Sequence, residues 1–468
     1  MVFNSFSFLI FFIFILVILR ITNSKTIRKI ELLLASYIFY GFWDWRFLGL
    51  LIGVSIVAYV CGAKILRKKK CKFWLKAGII LPLLVLGIFK YFNFFVNSFC
   101  SVFQITNSAA INIILPVGIS FYTFQAISYV VDAYRSEQNH DTFKYQDCTL
   151  LDVLLYIAFF PQLVAGPIVK AKDFLPQLKE DRQVSIKGLE IGIQIFLLGL
   201  FKKIVIADHI AIFVDEVYRM PDIFNSKTIL LAILAYSVQI YCDFSGYSDM
   251  AIGCAKCMGY DLQKNFDLPY LSQNVSEFWH RWHISLSTWL KEYLYIPLGG
   301  NRKGKSRTYI NLFVTMTLGG IWHGANWTFV IWGMLHGLAL CIHKFYISIR
   351  KGKEHKKNKL SQICCMVINF FFVSALWIFF RADSLSQVES ILRGLVRMNG
   401  VSHIFSWAIF GLVFIIMEGL IDTYKKKKNR SIYLNLSKVS GLTLFLIAVG
   451  LTISLAYVGE NPFIYFQF

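Results

Sequence analysis

The chain consists largely of long continuous runs of apolar residues, which short polar or basic stretches separate. Runs of membrane-spanning length lie at residues 5–20, 30–45, 47–66, 77–99, 111–134 (polar-interrupted), 150–168, 188–213, 228–255, 308–321, 326–346, 362–381, 404–422 and 439–457. A helix needs about 20 residues to cross a bilayer, whereas barrel strands show short alternating segments. The pattern therefore predicts an all-α, polytopic membrane protein with about 11 to 13 membrane helices.

Composition agrees with this prediction. Hydrophobic residues make up 56% of the 468 residues and charged residues 16%, against about 25% charged in an average soluble domain. The first apolar run is followed, not preceded, by a basic residue, which favours a retained span over a cleaved signal peptide. We expect one integral-membrane domain over residues 1–468, with its motifs at 115–340 and flanking helices at 1–100 and 360–468.

The net charge of +21 comes from Lys and Arg residues that cluster between apolar runs. Strongly basic gaps alternate with gaps that are not: the basic ones are Lys25–Lys29, Arg67–Lys76, Arg350–Lys359 and Lys425–Arg430, and the others are Asp44–Arg46, Ser98–Ala110, Asp383–His403 and Gly459–Phe468. Positive loops face the cytoplasm, so both termini are expected outside it. No basic face with interleaved aromatic residues is offered to a nucleic acid, so membrane lipid is the expected partner.

Polar residues inside two apolar runs are candidates for a tunnel lining. In LPVGISFYTFQAISYVVDAYR (115–135), Tyr122 and Gln125 share one helical face. Packing and hydrogen bonding between helices is the alternative role for them. In YCDFSGYSDMAIG (241–253), Asp243 can orient a catalytic imidazole, bind an Arg, or form a buried structural ion pair.

The second of these motifs also holds Ser245 and Tyr247, which we take as further tunnel or orienting residues. The local sequence is not G-x-S-x-G, which argues against a serine hydrolase.

Four of the nine histidines lie within residues 277–337: His280, His283, His323 and His336. His280 and His283 are three residues apart and are expected to share a helix face. Acyl transfer to a hydroxyl needs a base, and histidine suits this because its pKa lies near neutrality. We predict His323 as the base and His283 as its partner, which orients the acceptor or stabilises the oxyanion. No H-E-x-x-H is present, so no metal is expected.

Further candidates surround these histidines. Asn326 follows His323 in WHGANW, and His336 would lie nearly opposite His323 on one continuous helix. Those two histidines therefore act together only if a new helix starts after His323.

The basic residues Arg281, Lys291 and Arg302 are candidates to bind the phosphates of an acyl-CoA from the cytoplasmic side. For the neighbouring Lys303 and Lys305, plain cytoplasmic charge is an equally good explanation.

These motifs, together with FFPQLVAGPI (159–168), EFWHRWHISLSTWLKEYLYIPLGGNRKG and GGIWHGANWTFVIWGMLHG, resemble those of the membrane-bound O-acyltransferase family, in its alginate O-acetyltransferase-like bacterial branch. The resemblance implies a ring of helices around a thinned centre, with a tunnel that joins the two membrane faces. It also implies that the family's W-H-G histidine is His323 and its R-W-H-x-S histidine is His283. At His280 relatives often carry Arg.

The resemblance further implies a function in the bacterial cytoplasmic (inner) membrane. Similar proteins move acetyl from a cytoplasmic donor, here acetyl-CoA with no bound cofactor, across the membrane. A periplasmic or extracytoplasmic SGNH-type acetyltransferase then places it on a polysaccharide, such as alginate. Three alternatives stay open: a non-catalytic transporter or export scaffold for an acyl donor or glycan, D-alanyl transfer to teichoic acid, and acyl transfer to a protein or lipid.

Overall fold

The computed structural model describes residues 1–105, 113–139, 143–164, 166–350, 358–428, 433–459 and 461–466. Within these residues every regular element is a helix, apart from an isolated bridge between Phe224 and Val401. This confirms the all-α prediction. Residues 106–112, 165, 351–357, 429–430, 460 and 467–468 of the predicted runs and loops lie outside the described part of the chain.

The described residues form twenty α-helices. In chain order they are α1 Phe6–Ile21, α2 Lys25–Asp44, α3 Leu48–Leu66, α4 Cys71–Leu86, α5 Phe92–Val102, α6 Ile119–Asn139, α7 Leu150–Ala158, α8 Phe160–Leu163, α9 Ala171–Lys179, α10 Ile186–Phe201, α11 Asp208–Arg219, α12 Ser226–Cys257, α13 Val275–Arg281, α14 Ile284–Leu290, α15 Lys305–His323, α16 Trp327–Ile349, α17 Lys359–Arg381, α18 Leu385–Gly394, α19 Ser406–Lys428 and α20 Val439–Ser454. A π-helical turn, Lys202–Ala207, joins α10 to α11 without a break.

Several helical stretches are long and apolar enough to cross a membrane. Six such stretches occur in the described residues: Lys25–Leu66, Cys71–Val102, Ser226–Cys257, Trp327–Ile349, Lys359–Arg381 and Ser406–Tyr424. Two shorter apolar helices accompany them, α1 and α20. The first stretch contains both α2 and α3, so it bends at the 3₁₀ turn between them. These helices confirm a polytopic membrane protein, while the count of about 11 to 13 stays a prediction.

The chain divides into two compact units, and a single domain over the whole chain stays a prediction. The first unit comprises residues 1–196 and 248–263, and the second comprises 197–247 and 264–468.

In the first unit, α3, α4 and α6 pack closely through small residues. A β-carbon added to Gly78 of α4 would lie only 2.7 Å from Val130 of α6. Small residues let membrane helices approach in this way. Tyr122 and Gln125 are fully buried on α6.

In the second unit, α15 and α16 form an antiparallel pair that glycines hold together. A β-carbon added to Gly320 would lie 2.3 Å from the carbonyl oxygen of Phe329. This close approach fixes the short turn between the helices, where α15 ends at His323 and Asn326 caps α16. A new helix therefore does start after His323.

Candidate active site

His283 lies at a sharp turn between two short helices. Helix α13 ends at Arg281, and His283 precedes α14 with φ 43° and ψ 55°. A residue with a β-carbon rarely adopts this left-handed conformation, and such strain clusters at functional sites. The predicted shared helix face of His280 and His283 is wrong, because the helix ends between them. His280 is exposed, and its Nδ1 lies 2.6 Å from the carbonyl oxygen of Ser276.

The imidazole of His283 is fully buried and is oriented by Asn265. Its Nδ1 lies 3.2 Å from Oδ1 of Asn265, which also accepts from the hydroxyl of Ser285 at 2.9 Å. An amide oxygen only accepts, so Nδ1 carries the proton and Nε2 presents a lone pair. Nε2 is buried with no hydrogen-bond partner among the described residues. Burial lowers the pKa of His283 to about 3, so the ring is neutral near pH 7.

His323 lies beside His283 in an aromatic enclosure. The two ring centroids are 6.4 Å apart, and His323 is only 3% exposed. Rings of Trp322, Trp332 and Phe380 lie between 5.1 and 5.2 Å from that of His323. At this separation both imidazoles can contact one small reacting group, and the enclosing rings exclude water from it.

Tyr465 completes the wall of the site, and sequence reasoning missed it. Its ring centroid lies 5.7 Å from that of His323 and 6.3 Å from that of His283. Phe244 packs against Tyr465 at 4.3 Å and against His283 at 4.7 Å. The aromatic sequence Phe463–Phe466, following a stretch with few charges, was the available signal.

Asp243 contacts a lysine and the backbone, whereas Asn265 orients the imidazole. Oδ1 of Asp243 lies 2.6 Å from Nζ of Lys203, and Oδ2 of Asp243 accepts from the backbone N–H of Ile464 at 2.8 Å. Of the roles open to Asp243, these contacts match the buried ion pair. Lys203 was not among the predicted site residues.

The remaining tunnel or orienting candidates lie in different surroundings. Tyr247 stacks on Phe463 with ring centroids 4.5 Å apart. Ser245 is buried, and its hydroxyl has no hydrogen-bond partner among the described residues. Asn326 caps α16 by accepting from the backbone N–H of Thr328 at 3.1 Å, which is a structural task. Tyr122 and Gln125 belong to the first unit and are described with it above.

The three donor-binding candidates differ in their availability. Arg281 is held by Glu277, with 2.7 Å between Nη2 and Oε1. Lys291 and Arg302 are exposed and free to meet a ligand at the surface. Arg302 lies in a turn where Gly299 and Gly304 have φ values of 116° and 87°, which glycine adopts readily.

The described helices define an integral membrane protein in which two buried histidines lie side by side. The profile of the membrane-bound O-acyltransferase family matches residues 100–382. The chain belongs to this family and is an acyltransferase rather than a non-catalytic transporter.

The names of its relatives refer to peptidoglycan, alginate and teichoic acid. A peptidoglycan O-acetyltransferase of Helicobacter pylori is 40% identical over 80% of this chain and 75% of its own length. A probable alginate O-acetylase, AlgI, of Pseudomonas putida is 37% identical over 100% of both chains. A teichoic acid D-alanyltransferase of Bacillus subtilis is 29% identical over 56% of this chain and 67% of its own length.

Proposed function

We propose that this protein takes an acetyl group from cytoplasmic acetyl-CoA and passes it across the bacterial inner membrane for O-acetylation of an extracytoplasmic polysaccharide. The observation that carries the proposal is the buried pair of His283 and His323, 6.4 Å apart, in a chain that resembles known O-acetylases over most of its length. Acetyl is favoured over D-alanyl because the O-acetylase relatives are 37% and 40% identical, against 29% for the D-alanyltransferase.

The two imidazoles take different parts in the reaction. His323 removes the proton of the acceptor hydroxyl as its oxygen attacks the thioester carbonyl. The new C–O bond forms, the C–S bond breaks, and the proton passes from His323 to the departing CoA thiolate. His283 presents a lone pair at Nε2, so it can accept a hydrogen bond from the acceptor hydroxyl. It is less suited to stabilise an oxyanion, because an oxyanion needs a hydrogen-bond donor.

The donor enters from the side of the basic loops. Lys291 and Arg302 are exposed and suited to the phosphates of acetyl-CoA. Arg281 is engaged by Glu277 and contributes by orienting the local chain. On the other face an SGNH-type acetyltransferase takes the acetyl group from the ester formed on this first acceptor and transfers it to a hydroxyl of the polysaccharide. The ester bond to the first acceptor breaks, and its hydroxyl is released.

The test is the ester-linked acetyl content of each purified envelope polysaccharide. Cells with the native protein are compared with cells carrying His323→Ala or His280→Ala at matched membrane levels. His280 is the control, because it is an exposed histidine that the mechanism does not use. We expect His323→Ala to remove acetyl from one polymer and His280→Ala to leave it in place.

Other outcomes would overturn parts of the proposal. Unchanged acetylation in every polymer with His323→Ala would refute the role of His323. Loss of D-alanyl esters with intact acetyl esters would show that the transferred group is D-alanyl and not acetyl.

A further inference from the structure

Residues 461–466, here called the 461–466 segment, run along the histidine site. The segment lies in the same compact unit as His283 and His323. It places Tyr465 against both imidazoles and Phe463 against Tyr247. Phe463 and Ile464 are 3% and 5% exposed, so the segment is packed into the unit. Its position therefore decides whether the site has a closed wall.

A buried cluster of three charged side chains, Lys203, Asp208 and Asp243, contacts this segment. Nζ of Lys203 lies 2.6 Å from Oδ1 of Asp243 and 2.8 Å from Oδ1 of Asp208. The cluster meets the backbone of the segment at two positions, Asn461 and Ile464. Nζ of Lys203 also donates to the carbonyl oxygen of Asn461 at 3.2 Å, and Asp243 accepts from the N–H of Ile464.

The π-helical turn between α10 and α11 explains how the cluster forms. Lys203 and Asp208 are five residues apart, and the wider turn brings their side chains together. Two backbone carbonyls of this region also bind the C-terminal part of the chain. The carbonyl oxygen of Asp208 accepts from Nδ2 of Asn461 at 3.0 Å, and that of Ile204 accepts from the backbone N–H of Tyr457 at 2.9 Å.

A cavity of about 50 Å³ lies behind the segment. Asn461 and Ile464 line it on one side, and Asp215, Gln239 and Arg381 line it on others. Its volume suits a few water molecules and is too small for a sugar ring. The charged cluster therefore borders a small cavity and the segment, and this cavity does not hold a polysaccharide.

We infer that Lys203, Asp208 and Asp243 are positioning residues for acyl transfer, which hold the 461–466 segment so that Tyr465 closes the wall of the histidine site. The inference rests on the proposed function, because it takes His283 and His323 as the reacting site. A buried ion cluster contributes little net stability after its desolvation cost, so its value lies in fixing one geometry. A displacement of about 1 Å at a reacting centre lowers turnover on the order of 100-fold.

The neighbouring Lys202 provides a matched control. It is buried to a similar degree, at 4% exposure against 3% for Lys203, and its ion pair with Glu418 is 2.7 Å long. Lys202→Met and Lys203→Met thus remove the same charge from adjacent positions. Lys203 donates to the carbonyl oxygen of Asn461 in the segment, whereas the ion pair of Lys202 is with Glu418.

The experiment measures segment position and activity in two matched versions of the full-length protein. Ile464→Cys is introduced, because its backbone N–H rather than its side chain meets Asp243. Modification of this thiol by a maleimide is then timed in membranes, and the background of the native cysteines is subtracted. Acetyl transfer is measured in parallel in the protein with Ile464 restored.

We expect Lys203→Met to speed thiol modification about tenfold or more and to lower acetyl transfer on the order of 100-fold. Lys202→Met should change each by less than about twofold. If Lys203→Met does not accumulate in membranes, Asp243→Asn is the second variant, since it keeps an oxygen for Ile464 but loses the carboxylate that Lys203 binds. It should change both quantities in the same direction, by a smaller factor.

The outcomes separate this inference from the proposed function. Full activity or unchanged thiol protection in Lys203→Met or Asp243→Asn would overturn the positioning role. Full activity in His323→Ala would refute the proposed function instead, whatever the lysine variants show.

Discussion

Two regions of the second unit each enclose a buried histidine, and the hydrogen bonds in the two regions favour opposite tautomers of the imidazole. At His283, Nδ1 faces the amide oxygen of Asn265, so Nδ1 holds the proton and Nε2 is the acceptor. At His336, Nδ1 lies 3.3 Å from Nε1 of Trp279, which only donates. Nδ1 of His336 is therefore the acceptor, and the proton is on Nε2. Burial alone does not make a histidine a base; the partner decides which nitrogen has the lone pair.

The regions also differ in what surrounds the second nitrogen. The ring centroid of His283 lies 6.4 Å from that of His323 and 6.3 Å from that of Tyr465. The ring of His336 packs between those of Trp279 and Trp332, with centroids 5.1 and 4.8 Å away. The first region offers polar groups to a reactant, and the second is a packed aromatic core. This contrast predicts chemistry in one region and stability in the other.

The largest effect should follow from removing the proposed base. We expect His323→Gln to lower the rate of CoA release from acetyl-CoA in membranes at least about 100-fold, because general-base catalysis is lost. His336→Gln, at matched protein levels, is the comparison. Equal losses in the two variants would erase the distinction between the regions.

Loss of the residue that orients His283 should have the next largest effect. Asn265→Leu removes the acceptor that keeps the proton on Nδ1, and we expect on the order of 10- to 100-fold lower turnover. Ser285→Ala removes a second donor to the same amide oxygen and a hydroxyl 3.4 Å from Nδ1 of His283, but it leaves Oδ1 of Asn265 facing that nitrogen. It should cost less than about threefold. A Ser285→Ala loss as large as that of Asn265→Leu would show that the whole turn, not the proton on Nδ1, is what matters.

Stability should depend on pH through His283. Its pKa is about 3 in the folded protein against about 6.5 when unfolded, so folding favours the neutral ring. This contribution is complete above about pH 6.5 and is lost as pH falls towards 3. Between pH 7.5 and 5 we expect the native protein to lose about 2 kcal/mol of unfolding free energy relative to His283→Gln. Parallel thermal unfolding curves in detergent would measure this, and no pH-dependent difference would contradict it.

Several features of the fold and site were predictable because their signals are local. Long apolar runs predicted the membrane helices, and the family resemblance implied both His283 and His323. The prediction that His280 and His283 share a helix face was wrong, because a left-handed turn at His283 interrupts the helix. The sequence near position 283 contains no residue that predicts this turn.

The partners of the site were not predictable, because they come from distant parts of the chain. Asn265 is one of several polar residues in a loop, Lys203 resembles any basic residue near an apolar run, and Tyr465 lies beyond the last predicted span. Each gains its meaning from a tertiary contact: Asn265 with His283, Lys203 with Asp243, and Tyr465 with both histidines. Polar partners inside a membrane protein are fixed by packing, which leaves no periodic trace.

The smallest effect on turnover should come from His336. Because its ring is packed among Trp279, Trp332 and Phe278, its loss should disturb packing more than chemistry. We expect His336→Gln to lower unfolding stability by about 2 kcal/mol, while acetyl transfer per folded molecule stays within about threefold of the native rate. Thermal unfolding in detergent and CoA release, both normalised to folded protein, separate the two quantities. A stable but inactive His336→Gln protein would bring His336 into the reacting site, and the lone pair that Trp279 occupies would then need to be released during turnover.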